Sequence, residues 1–217
     1  MKKILFMLVV MFSLCVGFYS CDSCKKGEKN ETPEVTDSVV AGHLDVENIT
    51  NTDKQYMFTN YGADYRWFES CILLKDFMDE ECDGTVEGIS NVFQVVNMSE
   101  DQKSADVFVV LAAHTVDSTA YEVKHGFWVE DYPLNDEAIQ VKFKDAFEKM
   151  METNCPKPHS RHCVLRKQIG PVDANPQYIF GNTEAQVYVD AITGEVSTDN
   201  PAFPEEKGFK MPLGEWP

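Results

Sequence analysis

Apolar positions recur along this chain with two periods, and the places where one gives way to the other mark its elements. Within 61–81, Trp67, Cys71, Leu74 and Met78 fall at helical spacing with Phe68 and Ile72 beside them, predicting a helix that ends at Asp83-Gly84. Three strands are predicted next. The first is 92–98; the second is 105–113, an unbroken apolar run suited to a strand buried on both faces. In the third, 121–129, Tyr121, Val123, His125, Phe127 and Val129 alternate with Glu122, Lys124, Gly126, Trp128 and Glu130. That alternation places His125 on the apolar face as a core histidine and Trp128 on the opposite face. Asn135 is the expected cap of a second helix reaching about Thr153, with Ile139, Phe143, Ala146, Phe147 and Met150 as its apolar stripe. Strands are expected again at 162–169, 177–180 and 184–190. Residues 34–55 show no clean period. The end of the chain, 197–217, contains four prolines and reads as an extended tail whose Phe203, Phe209 and Trp216 dock on the body.

The resulting order is a helix and three strands, then a helix and three strands. The expected fold class is α+β, two helices packed on an antiparallel sheet, and the order suggests a tandem duplication of one unit. The expected division is 1–20 as a targeting segment, 21–55 as a tether and irregular stretch, 56–134 as the first unit and 135–217 as the second with its Pro-rich tail.

The N-terminus alters the picture more than composition does. Met1-Lys2-Lys3 precedes an apolar run from Ile4 to Leu14 broken only by Ser13, the order of a secretory signal and too short to span a bilayer. Ser20 before Cys21 resembles a lipobox, and the charged stretch 22–33 suits a flexible tether. The expectation is a lipoprotein anchored to the membrane through Cys21, at the cell envelope. With 36 acidic against 19 basic residues the formal charge is −17, and no basic stripe offsets it, which argues against a nucleic-acid partner. Such a charge serves solubility near a surface; a cation or a basic partner protein would also be drawn to it.

Of seven cysteines, Cys15 lies in the signal, Cys21 is the lipid site and Cys24 lies in the tether. Cys71, Cys82, Cys155 and Cys163 remain for the body, where an oxidising compartment favours disulfides. Three pairings are open; the local ones, Cys71–Cys82 and Cys155–Cys163, are expected. The rival is zinc, since Cys155, His159, His162 and Cys163 supply four possible ligands in nine residues. Adjacent His162 and Cys163 would point to opposite faces of a strand, which hinders tetrahedral closure, so no metal and no cofactor is expected.

No G-x-S-x-G, H-E-x-x-H, P-loop or dinucleotide fingerprint occurs. Asp79, Glu80, Glu81 and Asp83 cluster without the spacing of an EF-hand loop and read as a solvated helix end. Asp37-Ser38-Val39 and Asp117-Ser118-Thr119 resemble the acceptor triplet that some Gram-negative gut bacteria O-glycosylate outside the cytoplasm. Trp128 is the candidate partner contact.

Residues 188–196 read Tyr-Val-Asp-Ala-Ile-Thr-Gly-Glu-Val. In this turn Asp190 and Thr193 are suited to bonding the backbone, and Gly194 to a positive φ. The segment resembles the closing strand and turn of PepSY domains, and the likeness extends over 135–196. The resemblance implies an exported protein that inhibits a peptidase or binds a partner, with a fold similar to that of the tandem β-lactamase-inhibitory proteins. It implies no catalytic residue. The expected function is therefore a non-enzymatic lipoprotein that binds a protein or peptide, as an inhibitor or otherwise. The alternatives are a hydrolase-type enzyme or zinc site around the Cys155–Cys163 loop, and a structural accessory of an envelope complex.

Overall fold

A computed structural model describes residues 39–40, 43–75, 82–98, 105–153, 160–182 and 185–204. Cys21, Cys24, Ser38, Asp79, Glu80, Glu81, Cys155, His159, Phe209 and Trp216, which bear several of the expectations above, lie outside the described residues.

A two-residue ladder, β1 (Val39–Val40) with β2 (His43–Leu44), leads into α1 (Val46–Tyr61). Asp45 caps this helix, its side chain accepting from Asn48 N at 2.8 Å, and Gly62 ends it at φ 65° with its N–H bonded to Phe58 O. Val46, Ile49, Thr50, Asp53 and Met57 form the buried stripe. Two of the five are polar, so the stretch shows no apolar period although its burial is periodic.

Four antiparallel strands follow as a meander: β3 (Tyr65–Leu74), β4 (Val86–Met98), β5 (Ala105–Thr115) and β6 (Ser118–His125). After the short β7 (Asp131–Tyr132) and a 3-10 turn at Asp136–Ala138 comes α2 (Phe143–Glu152). A second meander closes the chain: β8 (His162–Gln168), β9 (Gln177–Gly181), β10 (Gln186–Asp190) and β11 (Val196–Ser197). The two meanders fuse where β3 pairs antiparallel with β8, giving one nine-stranded sheet in the order β11-β10-β9-β8-β3-β4-β5-β6, with β7 added beside β8. The architecture is α+β and mostly sheet, and the described residues from 39 to 204 belong to one unit.

The expected helix over 61–81 is instead β3, a ten-residue strand among the described residues. β3 lies mid-sheet between β4 and β8, and its consecutive Trp67 to Ser70 are all buried, so alternation is erased there. A register shift between Trp67 and Glu69 disturbs the period further. Tyr65, Trp67, Phe68 and Ile72 are residue types that favour strands. Asn135 is a cap as expected, but of the 3-10 turn, accepting from Glu137 N at 3.2 Å. Gln140 N and Val141 N then bond Ala191 O, and α2 begins at Phe143, whose N–H is bonded by Glu47 from α1 at 2.7 Å. Phe143, Ala146, Phe147 and Met150 are buried, as the stripe predicted. The strands read at 162–169 and 177–180 are β8 and β9 within a residue of either end.

Register assigns each side chain to a face. Ser70, Ile72, Leu74, Asn91, Phe93, Val95, Val110, Ala112, Leu165, Phe180, Val187 and Val189 face the helices, and most of them belong to one apolar core. Glu69, Cys71, Val92, Val109, Arg166, Ile179 and Tyr188 face the other way. The 190–194 turn is formed as anticipated. Asp190 Oδ1 accepts from Ile192 N (2.8 Å) and Thr193 N (2.9 Å), Thr193 Oγ1 accepts from Glu195 N, and Gly194 has φ 74°.

Candidate functional site

Two clusters of buried polar side chains lie on opposite faces of the sheet. On the helix face α1 drives Asp53, fully buried, onto β4 and β5. Its Oδ2 accepts from Asn91 Nδ2 at 2.7 Å, and its Oδ1 accepts from Tyr121 Oη at 2.9 Å and lies 2.8 Å from His114 Nε2. A carboxylate only accepts, so Nε2 carries the proton; Nδ1 lies 3.1 Å from Thr119 Oγ1 and accepts from it in the neutral imidazole. Asn91 Oδ1 receives the Ser70 hydroxyl and, at 3.4 Å, that of Thr50. Tyr56 of α1 stacks on Tyr121 with ring centroids 3.7 Å apart. Burial, first of all, and the Asp53 charge push the Tyr121 hydroxyl far above its ordinary pKa, so it remains a donor. Beside this cluster Lys54 bridges to Asp136 at 2.6 Å and sits 3.9 Å over the Trp67 ring.

On the opposite face β3 presents Glu69, β8 presents Arg166 and β7 presents Asp131. Arg166 Nε donates to Asp131 Oδ1 at 2.6 Å, and its Nη1 is 3.7 Å from Glu69 Oε2. The Glu69 and Asp131 carboxyls thus meet on one guanidinium. Cys71 Sγ donates to Glu69 Oε1 at 3.1 Å. Burial pushes the Glu69 carboxyl up to about 7, with Arg166 opposing it. Asp131 is raised as well, again chiefly by burial. Glu69 is 7 % exposed and Asp131 3 %, so this is a desolvated site.

Trp128 belongs to this second cluster. β6 ends at His125, so Trp128 lies in the loop before β7 rather than on a strand. Its backbone N–H donates to Gln94 Oε1 at 2.7 Å and its indole N–H to Asp131 Oδ2 at 3.2 Å. Trp128 is thereby half-buried, while Phe127 and Val129 on either side are 69 % and 64 % exposed. Val123 on β6 is half-exposed too, and β6 ends the sheet, with no second neighbouring strand among the described residues.

The expectation for His125 is overturned: its side chain is 84 % exposed and faces Asp106 at 3.6 Å. An edge strand leaves its apolar-patterned face in water beyond the reach of α1, and the buried histidine is His114. Cys163 is fully buried on β8, where burial raises its thiol well above the ordinary value. Cys82, just before β4, packs against the core, and Cys71 lies mid-strand on the opposite face from Cys163. His162 is at the start of β8 with its imidazole pKa lowered by burial and by Arg161. Among the described residues no group of three or more His, Cys, Asp or Glu side chains could hold a metal ion. No described helix is long and apolar enough to cross a membrane.

Sequence reading missed Glu69, Asp131, Arg166, Asp53 and His114. Glu69 and His114 leave a faint signal, a lone ionisable residue inside or beside an apolar run, as in Trp67-Phe68-Glu69-Ser70-Cys71-Ile72 and Leu111-Ala112-Ala113-His114, whereas Asp53, Asp131 and Arg166 stand beside charged Lys54, Glu130 and Lys167 and leave none. No family model, no curated protein and no solved structure matches the chain.

Proposed function

We propose that this protein is a non-enzymatic binding protein, held at the cell envelope through a lipidated Cys21, that takes an extended segment of a basic partner protein against the β6 edge and the 126–130 loop. The observation that carries this reading is the edge of β6, which no second strand pairs among the described residues, beside exposed Val123, Phe127 and Val129. An unpaired strand edge offers main-chain donors and acceptors to an added strand, and flanking apolar side chains give it specificity. Glu122 on β6 and Asp106 on the neighbouring β5, beside His125, are exposed and the chain is strongly acidic, which favours a Lys- or Arg-bearing partner. Inhibition of a peptidase is one form such binding takes. The finer reading of the fold is a tandem duplication: each half runs helix then four-strand meander, and the first strands of the two meanders, β3 and β8, pair with each other.

Random peptides displayed on phage and selected on the full-length protein test this. Selected sequences should alternate apolar and basic residues, lose affinity as salt rises, and lose at least tenfold against Val123→Glu or Phe127→Ser. Equal binding to these variants and to wild type would overturn the reading.

A second reading has one observation in its favour. The hydrogen bonds run Thr119 hydroxyl to His114 Nδ1, and His114 Nε2 to Asp53, the order of a nucleophile, a base and its orienting carboxylate, with Thr119 exposed on β6. If the rival enzyme class holds, its site is here, and a fluorophosphonate probe should label Thr119.

A further inference from the structure

The 126–132 segment that carries Phe127 and Val129 is fastened to the sheet at few points. Gly126 N bonds Val107 O at 3.1 Å and Trp128 N bonds Gln94 Oε1. Most of the remaining ties converge on Asp131 and Arg166: Trp128 Nε1 donates to Asp131 Oδ2, Arg166 Nε to Asp131 Oδ1 and Arg166 Nη2 to Glu130 O at 3.5 Å, while Lys167 sits over the Tyr132 ring and, among the described residues, β7 pairs with the end of β8. Asp131 in turn shares its site with a second carboxyl, Glu69, and a single guanidinium lies between them.

We propose that Glu69, Asp131 and Arg166 form a proton-operated clamp on the 126–132 segment: one proton shared by the two carboxyls holds Trp128 and its exposed neighbours in place, and loss of that proton loosens them. The role assigned to the segment rests on the docking reading above; the clamp itself does not.

With the proton present, Glu69 is neutral, so one negative charge faces one positive charge in a desolvated site. Without it, two carboxylates compete for Arg166 and repel each other. The other groups facing the site leave this balance in place. Cys71 on β3 is a neutral thiol donor to Glu69, and Tyr188 on β10 is a phenol whose pKa is raised by burial. Glu130, in the loop itself, faces Arg166 and is raised by burial, so it adds negative charge as pH rises. Burial holds Glu69 near 7, which places the change close to neutrality. The sign follows directly: a carboxyl with a raised folded pKa favours the closed state at low pH, and the advantage disappears as pH climbs through 7.

Opening that returns Glu69 from about 7 to its ordinary 4.5 makes the closed state about tenfold less favoured at pH 8 than at pH 6. Amide hydrogen exchange of the full-length protein, corrected for intrinsic rates, reads this directly. Protection over 126–132 should fall about tenfold between pH 6 and pH 8, while protection in β4 and β5 holds. Glu69→Gln keeps a neutral group beside Asp131 and should stay protected at both values. Asp131→Asn removes the competing charge and should move the midpoint downward. Wild-type protection that is flat across this range would overturn the clamp, whether or not either variant folds. A pH dependence that persists in Glu69→Gln would overturn it too. A switching segment with no peptide binding at β6 would leave the clamp standing and remove the docking reading instead.

Discussion

The two polar clusters sit back to back on one sheet, yet they are built on opposite principles. On the helix face one carboxylate, Asp53, collects three donors from three elements: Asn91 on β4, His114 on β5 and Tyr121 on β6. Every group in the chain from Thr119 to Ser70 has a partner of the complementary kind. On the other face two carboxyls meet one guanidinium, and Trp128 and Cys71 supply the remaining donors. The first arrangement has donors enough for its one carboxylate and acts as a rivet between α1 and the sheet. The second is completed only by a proton taken from solution. A buried polar group is structural when the protein supplies its whole complement, and sensitive to its surroundings when it does not.

That contrast can be broken by removing Asp53. Asp53→Ala leaves the Asn91 amide, the His114 N–H and the Tyr121 hydroxyl buried without an acceptor, and should cost about 3–5 kcal/mol in urea unfolding. A loss below about 1 kcal/mol would mean that water or rearrangement satisfies the three donors, and that the helix-face cluster is no rivet. The opposite cluster is sharpened by pH. Its raised Glu69 contributes stability that is fully present below about 4.5 and lost as pH rises through 7, an amount on the order of 3 kcal/mol. Midpoint denaturant concentrations across that range should therefore decline in the wild type and decline much less in Glu69→Gln. The smallest effect is expected at Thr119, the exposed end of the helix-face chain. Thr119→Val removes one hydroxyl donor to His114 and should cost about 0.5–1 kcal/mol. A larger loss would show that the chain acts as a unit.

Local patterns disclosed the parts of this fold that local forces shape. β5, β8 and β9 read correctly from apolar runs, and the stripe of α2 from Phe143 to Met150 is buried as its spacing requires. The Asp190–Gly194 reversal was legible because turn chemistry is encoded within five residues. The failures have a common cause. α1 was hidden because Thr50 and Asp53 occupy its buried stripe, and they do so to serve Asn91 and His114, which lie 41 and 61 residues further along. β3 was misread because Trp67 to Ser70 are buried on both faces and a register shift interrupts their alternation. Of the candidate site only Trp128 was visible, as an aromatic set among charged residues. Glu69 and Arg166 lie almost a hundred residues apart in the chain and become neighbours only through β3–β8 pairing.

That same pairing governs the order in which the molecule can assemble. The hairpin of β3 with β4, and the β4–β5–β6 meander behind it, close over short connections and can form early. The other side of β3 must wait for β8, which arrives only after the first meander, β7 and α2. Through that interval β3 exposes Ile72, Cys71 and an unpaired edge to any strand that reaches it first. A slow or weakened second half would therefore show itself as self-association through β3 before it showed itself as unfolding.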